Sequence, residues 1–266
     1  MTSESRSAAG IRYWTAGRGR RDTFLLVHGW CCDHEFLAPV ARHLADRRSA
    51  RVISVDMPGH GESPPPPDGY GVDQMAGRLR AFAAALDLRR VTAVGHSLGG
   101  VWSLATAAGA RDRFTGLVML DSAVAGPPGA AEAVNGVAES LRDDTSGQAR
   151  EAIVRSYFLP RSDPRLVRRV VTAMSKPSTQ VAYEPIAGLA AYVTADGDAA
   201  DLARWDRPSC YVGSNAPFAD YARLAQLAPQ ADIGQTVGSG HFVQLEVPDQ
   251  VNAMIDRYLE LTDGDD

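Results

Sequence analysis

The chemistry of this chain is most legible around Ser97, in Gly95-His96-Ser97-Leu98-Gly99. The apolar run 91–95 precedes it and the small-residue segment 97–110 follows it. A serine on such a strand-to-helix turn is lifted clear of a sheet. Gly95 and Gly99 leave room for a sharp bend, and the helix N-terminus favours developing negative charge. The chemistry this suits is nucleophilic attack on a carbonyl. The plainer alternative is an ordinary turn or a helix cap.

A serine hydroxyl needs a base whose pKa lies near the working pH, which favours histidine. The six are His28, His34, His43, His60, His96 and His241. His241 stands in the glycine-rich Gly238-Ser239-Gly240-His241-Phe242, after the last apolar strand pattern. His96 adjoins Ser97, but its side chain is expected to point away. His60, in a Pro-Gly-His-Gly turn, reads as structural. His28 reads as a bond to nearby backbone, and His34 is a secondary candidate for the pocket. Attack would create an alkoxide that needs two prepositioned N–H donors. The backbone of Leu98 is one candidate. Trp30, in His28-Gly29-Trp30, is the other, with its indole free to line the pocket.

The segments LLVHGW (25–30), DMPGHGES (56–63), VGHSLGG (94–100) and GSGHFVQLEVP (238–248) together resemble the α/β-hydrolase superfamily, most of all its small bacterial esterases and lactonases. The resemblance covers residues 10–121 and 207–261. It implies Ser97 as nucleophile and His241 as base. An aspartate is often found after the penultimate core strand in that superfamily, but the region here reads Tyr211-Val212-Gly213-Ser214-Asn215-Ala216, with alanine at the expected place. Some members take the acid from the end of the strand after the nucleophile helix, where this chain has Asp121 closing LVMLD. Asp121 is therefore the leading candidate. Asp220, Asn215 as a weak orienter, and a Ser–His dyad remain alternatives, and Asp121 could instead be a cap or turn residue.

These side chains must be positioned by a mostly parallel sheet flanked by helices, because short apolar runs alternate with helical patterns. Strands are expected at 11–16, 23–28, 52–56, 91–95, 116–121, 208–213 and 232–237. Helices are expected at 36–47, 72–86, 97–110, 218–227 and 247–261. Between 122 and 206 the strands stop, and helical pieces appear at 130–142, 148–158, 164–174 and 179–193. This divides the chain into an α/β core (1–121 and 207–266) and an inserted helical lid (122–206). The lid would lie where α/β sheets bind ligands. The alternative is a second domain beside the core. Tyr157 and Tyr183, with Trp30 and Cys31, are candidate pocket residues, although Tyr157, Phe158, Tyr183 and Tyr192 could equally form the lid's own core.

The 266 residues carry a net charge of −5, which argues against a nucleic-acid partner. The partner expected is a small, fairly apolar ester or lactone. A thioester, a C–C bond substrate, a lyase reaction or a non-catalytic receptor stand as rivals on the same fold. Cys31, Cys32 and Cys210 are too few and too badly spaced for a disulfide framework or a metal site. No nucleotide or flavin fingerprint occurs, so no cofactor is expected. Without an apolar signal core or a membrane span, the expected compartment is the cytoplasm. Oligomeric state is left open. The first eight or so residues and residues 262–266 are expected to fray.

Overall fold

The computed structural model describes residues 5–17, 19, 22–47 and 50–262. Strands β1 (Arg6–Ala8), β2 (Ile11–Ala16) and β3 (Thr23–Val27) lead into a short 3-10 turn at His34–Leu37 and helix α1 (Ala38–Arg47). Then come β4 (Arg51–Asp56), α2 (Val72–Ala85), β5 (Val91–His96), α3 (Leu98–Ala108) and β6 (Phe114–Leu120). Five helices follow without a strand: α4 (Ala130–Arg142), α5 (Gln148–Ser156), α6 (Pro164–Met174), α7 (Thr179–Thr194) and α8 (Gly197–Arg204). The chain closes with β7 (Ser209–Gly213), α9 (Tyr221–Leu227), β8 (Ala231–Gln235), α10 (Val243–Glu246) and α11 (Pro248–Thr262).

The eight strands form one sheet in the order β1-β2-β4-β3-β5-β6-β7-β8. β1 and β2 pair antiparallel, and β3 to β8 run parallel. Side chains alternate across a strand, so each central strand feeds two cores. From β3, Leu25 and Val27 enter a large core with α2 and α3, while Phe24 and Leu26 enter a second with α1 and α11. Leu141, Val154, Val170, Met174 and Val181, from the helices between β6 and β7, belong to the first core. Those helices therefore share one continuous core with α2, α3 and the strands they cover.

Three expectations about elements are corrected. Residues 6–8 are not frayed: they pair with β2 as β1. At the other end Thr262 closes α11. Residues 1–4 and 263–266 lie outside the described residues. α8 has no counterpart among the expected helices, because its Asp196-Gly197-Asp198 start reads as a turn. Tertiary contacts stabilise it: Leu202 and Trp205 are buried, and Asp198 Oδ2 accepts the Ala125 N–H at 2.7 Å. α9 starts later than residue 218 because Asp220 caps it, accepting from the N–H groups of Ala222 and Arg223. Among the described residues, no helix is long and apolar enough to cross a membrane.

Candidate active site

The parallel strands deliver their C-terminal ends to one edge, where α/β sheets hold their ligands. In register, Val27 lies opposite Gly95 and His96 opposite Leu120. The next residue of each chain segment leaves the ladder there. Ser97 N–H donates to Leu120 O at 2.9 Å, and Asp121 N–H to Val212 O at 2.8 Å. Ser97 and Asp121 thus stand at the ends of neighbouring strands.

Ser97 has φ 55° and ψ −125°, a left-handed conformation that costs a side-chain-bearing residue energy. The turn survives because glycine surrounds it. A Cβ on Gly99 would strike the backbone carbonyls of Val27 and His28, and one on Gly95 would strike the backbone of Gly99 and Gly100. α3 can therefore begin hard against β3, and Ser97 stays half-buried amid buried neighbours. Leu98 is the first residue of α3, so its N–H has no acceptor within the helix.

Gly29 packs beside the elbow: a Cβ there would lie 3.0 Å from the Ser97 Cβ. Cys32 N–H closes a turn onto Gly29 O at 3.2 Å, leaving the Trp30 amide outside that bond. Cys31 takes a positive φ of 54° at the turn's third position. His28 braces the loop, with Nδ1 2.8 Å from Gly29 O and Nε2 accepting the Met57 N–H at 2.9 Å. That is the structural role expected of it. The Trp30 indole N–H donates to Ala182 O on α7 at 2.8 Å, tying the loop to the helical insertion.

Asp121 also has positive φ, 43°, and is wholly buried. Its Oδ2 lies 2.8 Å from His241 Nδ1, and its Oδ1 accepts the Ser214 N–H at 2.9 Å. Both oxygens are thus partnered, and His241 is held in the tautomer that leaves Nε2 free of this bond. Asp220 is absent from this network, since its carboxylate caps α9. Asn215 is exposed, and its N–H bonds to Ser239 O.

Other residues around His241 carry no signal in their spacing. Its N–H donates to Tyr157 O at 2.8 Å, and the rings of Tyr157 and Phe218 lie 4.7 and 4.8 Å from its own. His96 Nε2 donates to His241 O at 3.0 Å. Burial, with His241 nearby, pushes His96's pKa well below the usual histidine value, so it stays neutral. Burial likewise lowers His28, and takes His60 down to about 3.

His34 and Tyr183 engage other partners. His34 stacks on Trp14 and bonds to Asp56 Oδ1 at 2.9 Å, away from the pocket role considered for it. Asp56 is structural: besides His34, it accepts the Glu62 N–H at 2.7 Å. Tyr183 on α7 sits under Arg142, whose guanidinium carbon is 5.7 Å from the ring centre. Cys31 is buried, and burial raises its thiol to about 12. Burial also raises the Tyr157 phenol, with lesser contributions from Cys31, Cys32 and Asp121.

Comparison with known proteins gives one consistent picture. The profile of the alpha/beta hydrolase family matches residues 24–254. An Escherichia coli (strain K12) protein named esterase YbfF is 30% identical over 261 residues, 94% of this chain and 98% of that one. The dihydrolipoyllysine-residue acetyltransferase component of the acetoin cleaving system of Pseudomonas putida is 29% identical over 261 residues. That match takes in 94% of this chain and spans 66% of the length of that protein. Among solved structures, a thermophilic esterase from Thermogutta terrifontis, solved with malate bound, superposes with a TM-score of 0.80 at 25% identity. The match covers 95% of this chain and 93% of that one.

Proposed function

Because the chain belongs to the alpha/beta hydrolase family and is a hydrolase by that membership, we propose that it cleaves a carboxylic ester or lactone through an acyl-enzyme on Ser97. The observation that carries this reading is the buried 2.8 Å bond between His241 Nδ1 and Asp121 Oδ2, beside a serine on a strained, half-buried elbow.

The roles follow from the chemistry. His241 takes the Ser97 proton as the hydroxyl attacks the carbonyl. The backbone N–H groups of Trp30 and Leu98 receive the developing oxyanion, each contributing roughly 3 kcal/mol to the transition state. Collapse of the tetrahedral intermediate breaks the ester C–O bond, and His241 returns the proton to the leaving alkoxide. Water, deprotonated by His241, then releases the acid. Asp121 keeps the imidazole in the working tautomer and stabilises the imidazolium. The five helices from α4 to α8 serve as a cap over this edge. The Trp30–Ala182 bond and the tilted ring contact of Tyr157 with His241 support that role.

The test is a substrate panel of p-nitrophenyl esters, aliphatic lactones and acyl thioesters, run with wild type and Ser97→Ala. Turnover of an ester or lactone, abolished in Ser97→Ala, is expected. Turnover confined to thioesters would change the substrate class, and turnover that survives in Ser97→Ala would remove the mechanism.

A further inference from the structure

Asp198 stands at the start of α8, the last helix of the insertion, and is only 1% exposed. Its Oδ2 accepts the Ala125 N–H at 2.7 Å, and its Oδ1 is buried without a hydrogen-bond partner. A carboxyl group taken out of water for one main-chain N–H is costly. The main chain it holds leads directly out of Asp121.

That segment is short, buried and strained. Asp121 and Ala125 both have positive φ, 43° and 48°, although neither is glycine. Such conformations persist only where the surroundings over-determine them. Ser122, Val124 and Ala125 are wholly buried. The Val124 N–H donates to Ser122 O at 2.9 Å, and the Tyr211 hydroxyl donates to the same carbonyl at 3.0 Å. Residues 122–124, tied in this way, leave little slack between Ala125 and Asp121.

Ala125 is also held from its other side. Its carbonyl accepts the Asp220 N–H at 2.9 Å. Phe218, two residues before Asp220, places its ring 4.8 Å from that of His241. The next carbonyl, of Gly126, accepts from Arg223 Nη1 at 3.2 Å. Arg223 Nη2 in turn lies 3.5 Å from Asp196 Oδ1, on the residue that precedes α8. Ala125 is thus the point where the insertion, the acid-bearing segment and the loop against His241 meet.

We infer that Asp198 is a positioning residue for the proposed reaction: it holds Ala125, and through residues 122–124 it fixes the Asp121 carboxylate against His241 Nδ1. This rests on the ester-hydrolase reading above and adds to it a working part supplied by the insertion. Asp198 touches neither the substrate nor His241, and it gains and loses no proton in the cycle. What it supplies is an acceptor. Without one, the Ala125 N–H is left buried and unsatisfied, and the strained segment shifts to find another partner.

The experiment takes two readouts on wild type, Asp198→Ala, Asp198→Asn and Asp201→Ala. One is steady-state hydrolysis of p-nitrophenyl butyrate. The other is the proton NMR signal of His241 Nδ1–H, assigned by its loss in His241→Gln and independent of turnover. A small misplacement of a catalytic group is expensive in rate, and kcat in Asp198→Ala is expected to fall by about tenfold or more with KM little changed. The NMR signal should move and exchange faster with water. Asp198→Asn keeps an oxygen acceptor and should restore most of kcat. Asp201→Ala removes a different carboxylate of α8, the one bonded to the Tyr192 hydroxyl at 2.7 Å and to Arg204. It should lower stability and leave kcat and the signal unchanged, which separates positioning from general loosening. On an Asp121→Asn background, Asp198→Ala should cost nothing further in kcat, because both changes act through one bond. Asp198→Ser, whose hydroxyl is too short to reach Ala125, carries the same test if Asp198→Ala does not fold. Unchanged kcat and NMR signal in Asp198→Ala overturn the inference, as does an effect that adds in full to that of Asp121→Asn. Absent wild-type turnover would count against the hydrolase reading alone, and the NMR comparison would still decide the inference.

Discussion

His96 Nε2 donates to the main-chain carbonyl of His241 at 3.0 Å, so the residue before the elbow serine holds the segment that carries the proposed base. Ser97 and His241 lie far apart in sequence, and this bond ties together the two segments that carry them. His96→Phe removes it while keeping a buried ring. A buried hydrogen bond contributes about 1 kcal/mol, which corresponds to somewhat less than tenfold in rate. Steady-state kinetics should show kcat falling by about that factor with KM little changed. Partial recovery in His96→Gln would distinguish lost positioning from lost packing.

Asp121 and Asp220 make a second, sharper comparison. Asp121→Asn leaves the shape but supplies the wrong hydrogen-bond partner to His241 Nδ1. A triad carboxylate changed in this way costs about 10⁴ in kcat. Asp220→Ala should leave the rate of acylation alone and lower stability by about 1 kcal/mol, since it removes the α9 cap. Pre-steady-state acylation and denaturant unfolding of both variants check the pair.

Trp30 joins the oxyanion loop to the insertion through its indole. Trp30→Phe leaves the backbone N–H in place and deletes only the bond to Ala182 O. The expected loss is about 1 kcal/mol. It should fall on α7 as faster amide exchange there, with KM rising more than kcat falls.

Stability should fall in acid through the buried histidines. His28, His60 and His96 are held neutral in the fold by burial, below their unfolded value near 6.5. Their contribution is complete above pH 6.5, where neither state binds the proton. As pH falls below 6.5 the unfolded chain takes up protons first, so unfolding is favoured by about 1.4 kcal/mol per pH unit for each histidine. For His60 the loss continues to about pH 3, where the folded protein also protonates. Urea melts between pH 7 and 4.5 should show this slope, and His60→Phe should make it shallower.

Much of this fold was legible because its signals are local. Strands β3 to β7 announce themselves as apolar runs, and Ser97 and His241 sit in glycine-rich turns that few other structures need. Asp121 could be picked out because the alternative position holds Ala216. What stayed hidden was long-range. The Trp30 indole reaches Ala182, His96 reaches His241 O, and Ser214 N–H reaches Asp121 Oδ1, and no spacing encodes such pairings. β1 and α8 were hidden for a related reason. Each is short, and each is stabilised by an element it packs against more than by its own sequence. Tyr157 could be named as an aromatic of the insertion, but its place against His241 depends on where α5 ends.

The central claim is a covalent acyl-enzyme on Ser97, and intact-protein mass spectrometry with an active-site fluorophosphonate tests it most directly. Wild type should gain one adduct, mapped by proteolysis to the peptide containing Ser97. Ser97→Ala should gain none, and His241→Ala should react orders of magnitude more slowly. An adduct on a different residue, or labelling that persists undiminished in Ser97→Ala, would contradict the account.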